Sequence, residues 1–158
     1  MENVWYSHFP IGTIGIAEDG VGITNLFFKK DAAAGDFTER ETSLLQKAAQ
    51  QLQEYFTDGR KQFDLKLSLH GTEFQMADWK ALQTIPYGET RSYRQIAQQI
   101  GSPKACRAVG MANNRNPVMI VVPCHRVVGH DGALVGYAGG LNVKEYLLHL
   151  EQVNSGGR

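Results

Sequence analysis

Two short stretches near the start of the chain, Thr13–Ala17 and Val21–Phe28, are rich in apolar residues and joined by Glu18-Asp19-Gly20. That pattern predicts a β-hairpin. The spacing then changes. Leu44, Leu45, Ala48, Leu52, Tyr55 and Phe56 recur at helical intervals, which predicts a helix over Thr38–Phe56 with Thr38 as N-cap, Glu41 completing a capping box and Thr57-Asp58-Gly59 ending it. Phe63–Leu69 alternates Phe and Leu with Asp, Lys and Ser, the two-residue period of a strand. Beyond His70-Gly71-Thr72 the pattern becomes mostly helical. Thr72 would cap a helix carrying Phe74, Trp79, Leu82 and Ile85 and stopped by Pro86-Tyr87-Gly88. Ser92 and Gln95 form a second capping box for a helix running to Ile100, and Gly101-Ser102-Pro103 separates it from another over Lys104–Asn113. A last helix, Asn142–Val153, turns Val143, Tyr146, Leu147 and Leu150 to one side. The reading is an α+β protein with a small α/β unit over 1–69 and a mainly helical unit over 70–158.

The two helices flanking Gly101-Ser102-Pro103 are a helix-turn-helix candidate. The second carries Ala105, Ala108, Gly110 and Ala112. Such small side chains let a helix approach another surface closely, either inside the protein or on DNA. Charge favours DNA. The chain is neutral overall, but residues 1–68 hold seven basic and ten acidic side chains and residues 69–158 hold nine and six. Between Thr90 and His130 stand Arg91, Arg94, Lys104, Arg107, Arg115 and Arg126 with no acid among them, a one-sign stretch suited to a phosphate-bearing partner. No segment is apolar enough to span a bilayer and no signal peptide is evident at the N-terminus. With two cysteines and no disulfide framework, the expectation is a cytoplasmic protein with free thiols.

Those cysteines are Cys106, which reads as structural, and Cys124 in VVPCHRVV. Cys124 could be a core residue, a metal ligand or a nucleophile. Zinc spacing is absent, since the five histidines form no His-x-x-x-His pair and no Cys-x-x-Cys exists. His125 and Arg126 follow Cys124 directly, and cationic neighbours favour a thiolate. In extended chain His125 would point away from Cys124, so a nucleophile here requires a turn at Pro-Cys or a linking water. A His base also needs an orienting acceptor. Glu151, four residues after Leu147 on the last helix, is the candidate.

Pro123-Cys124-His125-Arg126-Val127-Val128, followed by Gly136-Tyr137-Ala138-Gly139-Gly140-Leu141 and Lys144-Glu145, resembles the O6-alkylguanine-DNA alkyltransferases, the methylated-DNA–protein-cysteine methyltransferases of bacterial type. The likeness extends back through Arg107-Ala108-Val109-Gly110, Asn116-Pro117, Ile85-Pro86-Tyr87-Gly88, Ser92-Tyr93 and Gly71-Thr72-Glu73-Phe74-Gln75. The resemblance implies a ribonuclease H-like N-terminal unit and single-turnover repair of O6-methylguanine, leaving O4-methylthymine open as a second substrate. It implies Cys124 as alkyl acceptor, His125 as its base through a water, Glu151 orienting His125, Asn116 bracing the site and Tyr93 as proton donor to the departing base. It implies Arg107 filling the gap left by a flipped nucleotide, Arg94, Ser102 and His130 on the DNA backbone, and Tyr137 and Ala138 at the base pocket. The partner would be double-stranded DNA, bound by a monomer without metal or cofactor, with cooperative binding left open. Two other readings remain: a lesion-binding protein that transfers nothing, and a cysteine hydrolase using Cys124, His125 and Glu151.

Overall fold

The computed structural model describes residues 2–31, 37–137 and 139–156. It divides into two compact units, Met1–Leu69 and His70–Arg158.

In the first unit, strands β1 (Glu2–Phe9), β2 (Gly12–Glu18), β3 (Ile23–Phe28) and β4 (Phe37–Glu39) form one sheet in the order β3-β2-β1-β4. The β2–β3 hairpin is the one the sequence predicts. β1 pairs with β2 antiparallel and with β4 in parallel. Gly15 faces Tyr6 across the β1–β2 ladder, where a Cβ would lie 2.7 Å from the Phe27 ring and 2.8 Å from the Tyr6 ring, so only glycine lets those aromatics close over the strand. Helix α1 (Ser43–Thr57) lays Leu45, Ala48, Leu52, Tyr55 and Phe56 on the sheet.

Its start corrects the sequence reading. Thr38 lies in β4 opposite Asn3, and the N-cap is Thr42. Thr42 Oγ1 accepts from Leu45 N at 3.2 Å and donates to Glu18 Oε2 at 2.8 Å. A Thr-x-x-Glu pattern costs nothing to lose where pairing with a neighbouring strand satisfies the same backbone. Phe63–Leu69 is likewise not a full strand. It makes a single bridge, Leu67 to Ile23, through Ile23 N to Lys66 O and Ser68 N to Ile23 O, both 2.8 Å.

The second unit packs helices α2 (Glu73–Leu82), α3 (Tyr93–Gln99) and α4 (Cys106–Asn114) on one another. Both predicted capping boxes are present, Thr72 with Gln75 and Ser92 with Gln95. α4 starts two residues later than its spacing predicts, because Ala105 N bonds to Ser102 O in a preceding turn. Trp79, almost wholly buried, donates from Nε1 to Ala112 O at 2.9 Å and ties α2 to α4. A two-residue parallel pair, β5 (Arg91–Ser92) with β6 (Val127–Val128), brings the start of α3 beside the segment that follows Cys124.

Helix α5 (Leu141–Asn154) has an inner face different from the one its apolar pattern predicts. Lys144, Leu147 and Glu151 are buried, and Tyr146 is 40% exposed. Two charged side chains go inward because each finds several partners there. Among the described residues no helix is long and apolar enough to cross a membrane.

Candidate active site

The Val-rich context of Cys124 predicts extended chain, yet Cys124–Arg126 forms a 3-10 turn. Cys124 N bonds to Val122 O at 2.8 Å and Arg126 N to Pro123 O at 3.0 Å. The chain turns at Pro-Cys, yet among the described residues His125 Nδ1 makes no hydrogen bond to the Cys124 sulfur, so the turn alone does not join the two. Upstream, Ile120 is buried with φ +73°, a conformation costly for a β-branched residue. It sits where Val121 N bonds back to Met119 O and Val122 N to Val118 O, folding the chain tightly before the turn.

The Cys124 sulfur is buried and accepts from Asn116 Nδ2 at 3.2 Å. The same amide nitrogen donates to Val122 O at 2.7 Å, and Asn116 Oδ1 accepts from Val118 N at 3.0 Å. Burial pushes the Cys124 thiol up to about 11, against the opposing pull of Asn116 and Lys144. The resting group is therefore a thiol. Its cationic neighbours in sequence do not offset that burial, because their donors serve another group.

That group is the Glu151 carboxylate, 1% exposed. His125 Nε2 lies 2.6 Å from Oε2. Arg126 donates from Nε to Oε1 at 2.8 Å and from Nη2 to Oε2 at 3.1 Å, a two-pronged contact. Its Nη1 donates to Ile85 O at 2.7 Å, and the guanidinium lies 5.7 Å from the Tyr87 ring centre. Burial alone would raise the Glu151 pKa, but His125 and Arg126 outweigh it and hold the carboxyl at about 2. Burial lowers the His125 pKa against the pull of Glu151. An ionised Glu151 beside a neutral imidazole fixes the tautomer: Nε2 carries the proton, and Nδ1 keeps its lone pair. Among the described residues, Nδ1 and the Tyr137 hydroxyl are both buried without a protein hydrogen-bond partner.

Lys144, fully buried, donates to three carbonyls, Val127 O at 2.5 Å, Val135 O at 2.9 Å and Gly136 O at 3.2 Å, which uses all three of its protons. Tyr93 Oη also donates to Val135 O, at 2.8 Å. Burial, then the sulfur's charge, raises the Tyr93 pKa. Tyr93 opens α3, and a Cβ on Gly110 of α4 would come within 3.8 Å of its ring.

Cys124, His125, Asn116 and Glu151 form one connected cluster. Tyr93 and Tyr137 are half-buried. Arg107 on α4, Arg94 on α3 and His130 after β6 are exposed, and Ser102 is half-buried in the turn between α3 and α4. Ala138 lies outside the described residues. Cys106 is half-buried and free. Among the described residues no group of three or more metal-ligating side chains occurs. The sequence reading missed the parts played by Arg126 and Lys144. The signal for Lys144 was present, since Lys144, Leu147 and Glu151 stand at positions 0, 3 and 7 of one helical face.

Residues 73–153 match the family described as "6-O-methylguanine DNA methyltransferase, DNA binding domain", and residues 5–69 match "6-O-methylguanine DNA methyltransferase, ribonuclease-like domain". The methylated-DNA–protein-cysteine methyltransferase of Methanosarcina barkeri is 51% identical over 149 residues, covering 92% of this chain and 94% of its own. The constitutive enzyme of that name from Bacillus subtilis is 49% identical and covers 92% of each chain. In fold, the chain is similar to Mycobacterium tuberculosis OGT crystallised in complex with DNA, with a TM-score of 0.91, 47% identity and 96% and 94% of the two chains covered.

Proposed function

The chain belongs to the methylated-DNA–protein-cysteine methyltransferases, which makes it a DNA-repair enzyme, and we propose that it moves the alkyl group of O6-methylguanine onto Cys124 in a single turnover. The observation that carries this assignment is the His125–Glu151 contact of 2.6 Å, directly after a sulfur held by Asn116. It leaves an unprotonated His125 Nδ1 as the base nearest in chain to the thiol.

In this reading the damaged nucleotide leaves the stack at a cost of about a few kcal/mol. Arg107 occupies the gap, and Arg94, Ser102 and His130 hold the backbone. The Cys124 proton passes through one water to His125 Nδ1. The sulfur then attacks the methyl carbon, the S–C bond forming as the C–O6 bond breaks, and the electron pair passes to the guanine ring. Tyr93 gives up its bond to Val135 O and donates to the ring as negative charge builds there. The proton held on His125 then returns through water to the Tyr93 oxygen, so that overall the thiol proton is exchanged for the methyl group and the base departs carrying one proton. A thioether has no comparable leaving group, so the protein is consumed. We further read it as a cytoplasmic monomer acting on double-stranded DNA without metal or cofactor, with residues 1–69 as a support unit.

The test is to mix the protein with duplex DNA carrying O6-methylguanine and map its cysteine peptides by mass. A single methyl on Cys124 is expected, and methyl on Cys106 or on neither would sink the assignment. Two substitutions separate binding from chemistry. Arg107→Ala is expected to slow repair of duplex DNA about tenfold or more by weakening extrusion, with little loss on a single strand. Tyr93→Phe is expected to slow the transfer step itself by about 10²-fold, read in single-turnover kinetics at saturating DNA. A change confined to affinity would refute proton donation.

A further inference from the structure

Helix α2 buries a carboxyl that this chemistry does not use. Asp78 is 0% exposed, and among the described residues no cation pairs with it. What faces it is the Asn113 side chain from the end of α4. With the Asp78 carboxyl ionised, both its oxygens and the Val109 carbonyl accept, and the Asn113 amide then turns its nitrogen toward them. It then donates to Asp78 Oδ2 at 2.6 Å and to Val109 O at 3.1 Å.

The contact continues toward the sulfur. The Asn113 backbone carbonyl accepts from Asn116 N at 3.1 Å, and Asn116 Nδ2 donates to Cys124 Sγ at 3.2 Å. A short chain of hydrogen bonds and backbone therefore runs from the Asp78 carboxyl through Asn113 and Asn116 to the acceptor. Trp79, the next residue of α2, holds the same helix end through Ala112 O. Consecutive side chains of α2 thus fix where α4 stops and where Asn116 begins its turn.

We infer that Asp78 is a positioning residue of the alkyl-transfer site, setting Asn116 on the Cys124 sulfur through Asn113, and that loss of its proton makes the sulfur less reactive. The inference rests on Cys124 being the alkyl acceptor.

The charges around Asp78 support the second part. α4 presents the neutral Asn113. α3 turns Ile96 and Ala97 inward and leaves Arg94 exposed. In the Cys124–Arg126 turn the sulfur feels its charge: an ionised Asp78 raises the Cys124 pKa, while Lys144 opposes that rise. Burial pushes the Asp78 carboxyl up to about 7, and the Asn113 amide, where it donates to the ionised form, opposes that rise. Two negative charges sharing a buried site disfavour each other, and thiolate formation becomes harder as Asp78 ionises. The sign for stability follows. Asp78 holds its proton more tightly folded than unfolded, so its contribution is present below about 3.8 and is lost as pH rises through about 7.

The experiment compares single-turnover methyl transfer by wild-type, Asp78→Asn and Asn113→Ala chains on the same duplex from about pH 6 to about pH 8.5. Asp78→Asn keeps a polar partner for Asn113 but cannot ionise. Its rate is expected to equal wild type at the acid end and exceed it about three- to tenfold at the alkaline end. Asn113→Ala is expected to be slower at every pH, because Asn116 loses its anchor. A rate ratio for Asp78→Asn that stays flat with pH, or an Asn113→Ala chain as fast as wild type, overturns the inference. Failure of the wild-type chain itself to transfer would instead overturn the assignment of Cys124. Should Asp78→Asn not fold, carbon-13 carboxyl NMR of the wild type decides. One aspartate titrating near 7 is expected, and a full set ionised below about 5 refutes the idea.

Discussion

A Cys124→Ser chain is expected to leave every methyl group on the DNA while still binding it. The side chain changes by one atom, so Asn116 still has an acceptor near 3 Å and the turn closed by Arg126 N to Pro123 O is untouched. What changes is acidity. The surroundings of position 124 already raise a thiol to about 11 by burial. An alcohol is a far weaker acid in water, and the same burial weakens it further. A neutral imidazole cannot ionise it, and an unionised hydroxyl is too weak a nucleophile for an sp3 carbon. The expected result is complete loss of transfer by mass mapping, with DNA affinity in a gel-shift titration within about twofold of wild type. Residual transfer by the serine chain would mean that another residue accepts the methyl.

The second large effect is expected at Glu151. Glu151→Gln preserves size but removes the negative charge that Arg126 and His125 both face. Arg126 is 6% exposed and would be left charged with no counter-ion, a change that costs about 3–5 kcal/mol. On the second unit alone that is a fall in Tm of about 10 °C or more. The activity should fall separately, by about 10²–10³-fold, because a glutamine can present its own N–H to His125 Nε2 and reverse the tautomer, leaving Nδ1 protonated and unable to take a proton. Thermal unfolding and single-turnover kinetics, run well below the lowered Tm, read the two losses independently. Acid should imitate the mutation. Glu151 is held at about 2 against an ordinary 4.5, so its contribution is full above about 4.5 and is lost as pH falls toward 2. The shift corresponds to roughly 3 kcal/mol. Equal stability of wild type and Glu151→Gln at neutral pH would contradict the role given to the Arg126 pair.

Much of this was readable along the chain wherever one local rule acts alone. Thr72 with Gln75 and Ser92 with Gln95 each satisfy their own backbone, so both boxes form where the sequence puts them. The β2–β3 hairpin is set by its turn. The rule failed at Thr38 because β4 pairs with β1, a strand in which Val4 and Phe9 alone are buried, so that no two-residue period marks it. It failed on α5 for the opposite reason. Lys144 falls outside the apolar face and Glu151 only borders it, and partners distant in the chain, the Val127 and Val135 carbonyls for one and Arg126 for the other, explain why both turn fully inward. Within the candidate site, Cys124, His125 and Glu151 were nameable from residue type and spacing. The raised thiol pKa was not, because a neighbour in sequence need not be a neighbour in charge: His125 and Arg126 follow the sulfur but spend their donors on Glu151.

The single ammonium group of Lys144 joins Val127, Val135 and Gly136, and that arrangement governs how the wall beside Tyr137 could evolve. Exchanging side chains along residues 133–137 alters contour while the backbone path persists, so tolerance for bulkier adducts can drift in small increments. Losing the cation removes three hydrogen bonds together, an abrupt event with no intermediate. Variants selected for wider substrate range should therefore accumulate changes around Lys144 long before any survive at it.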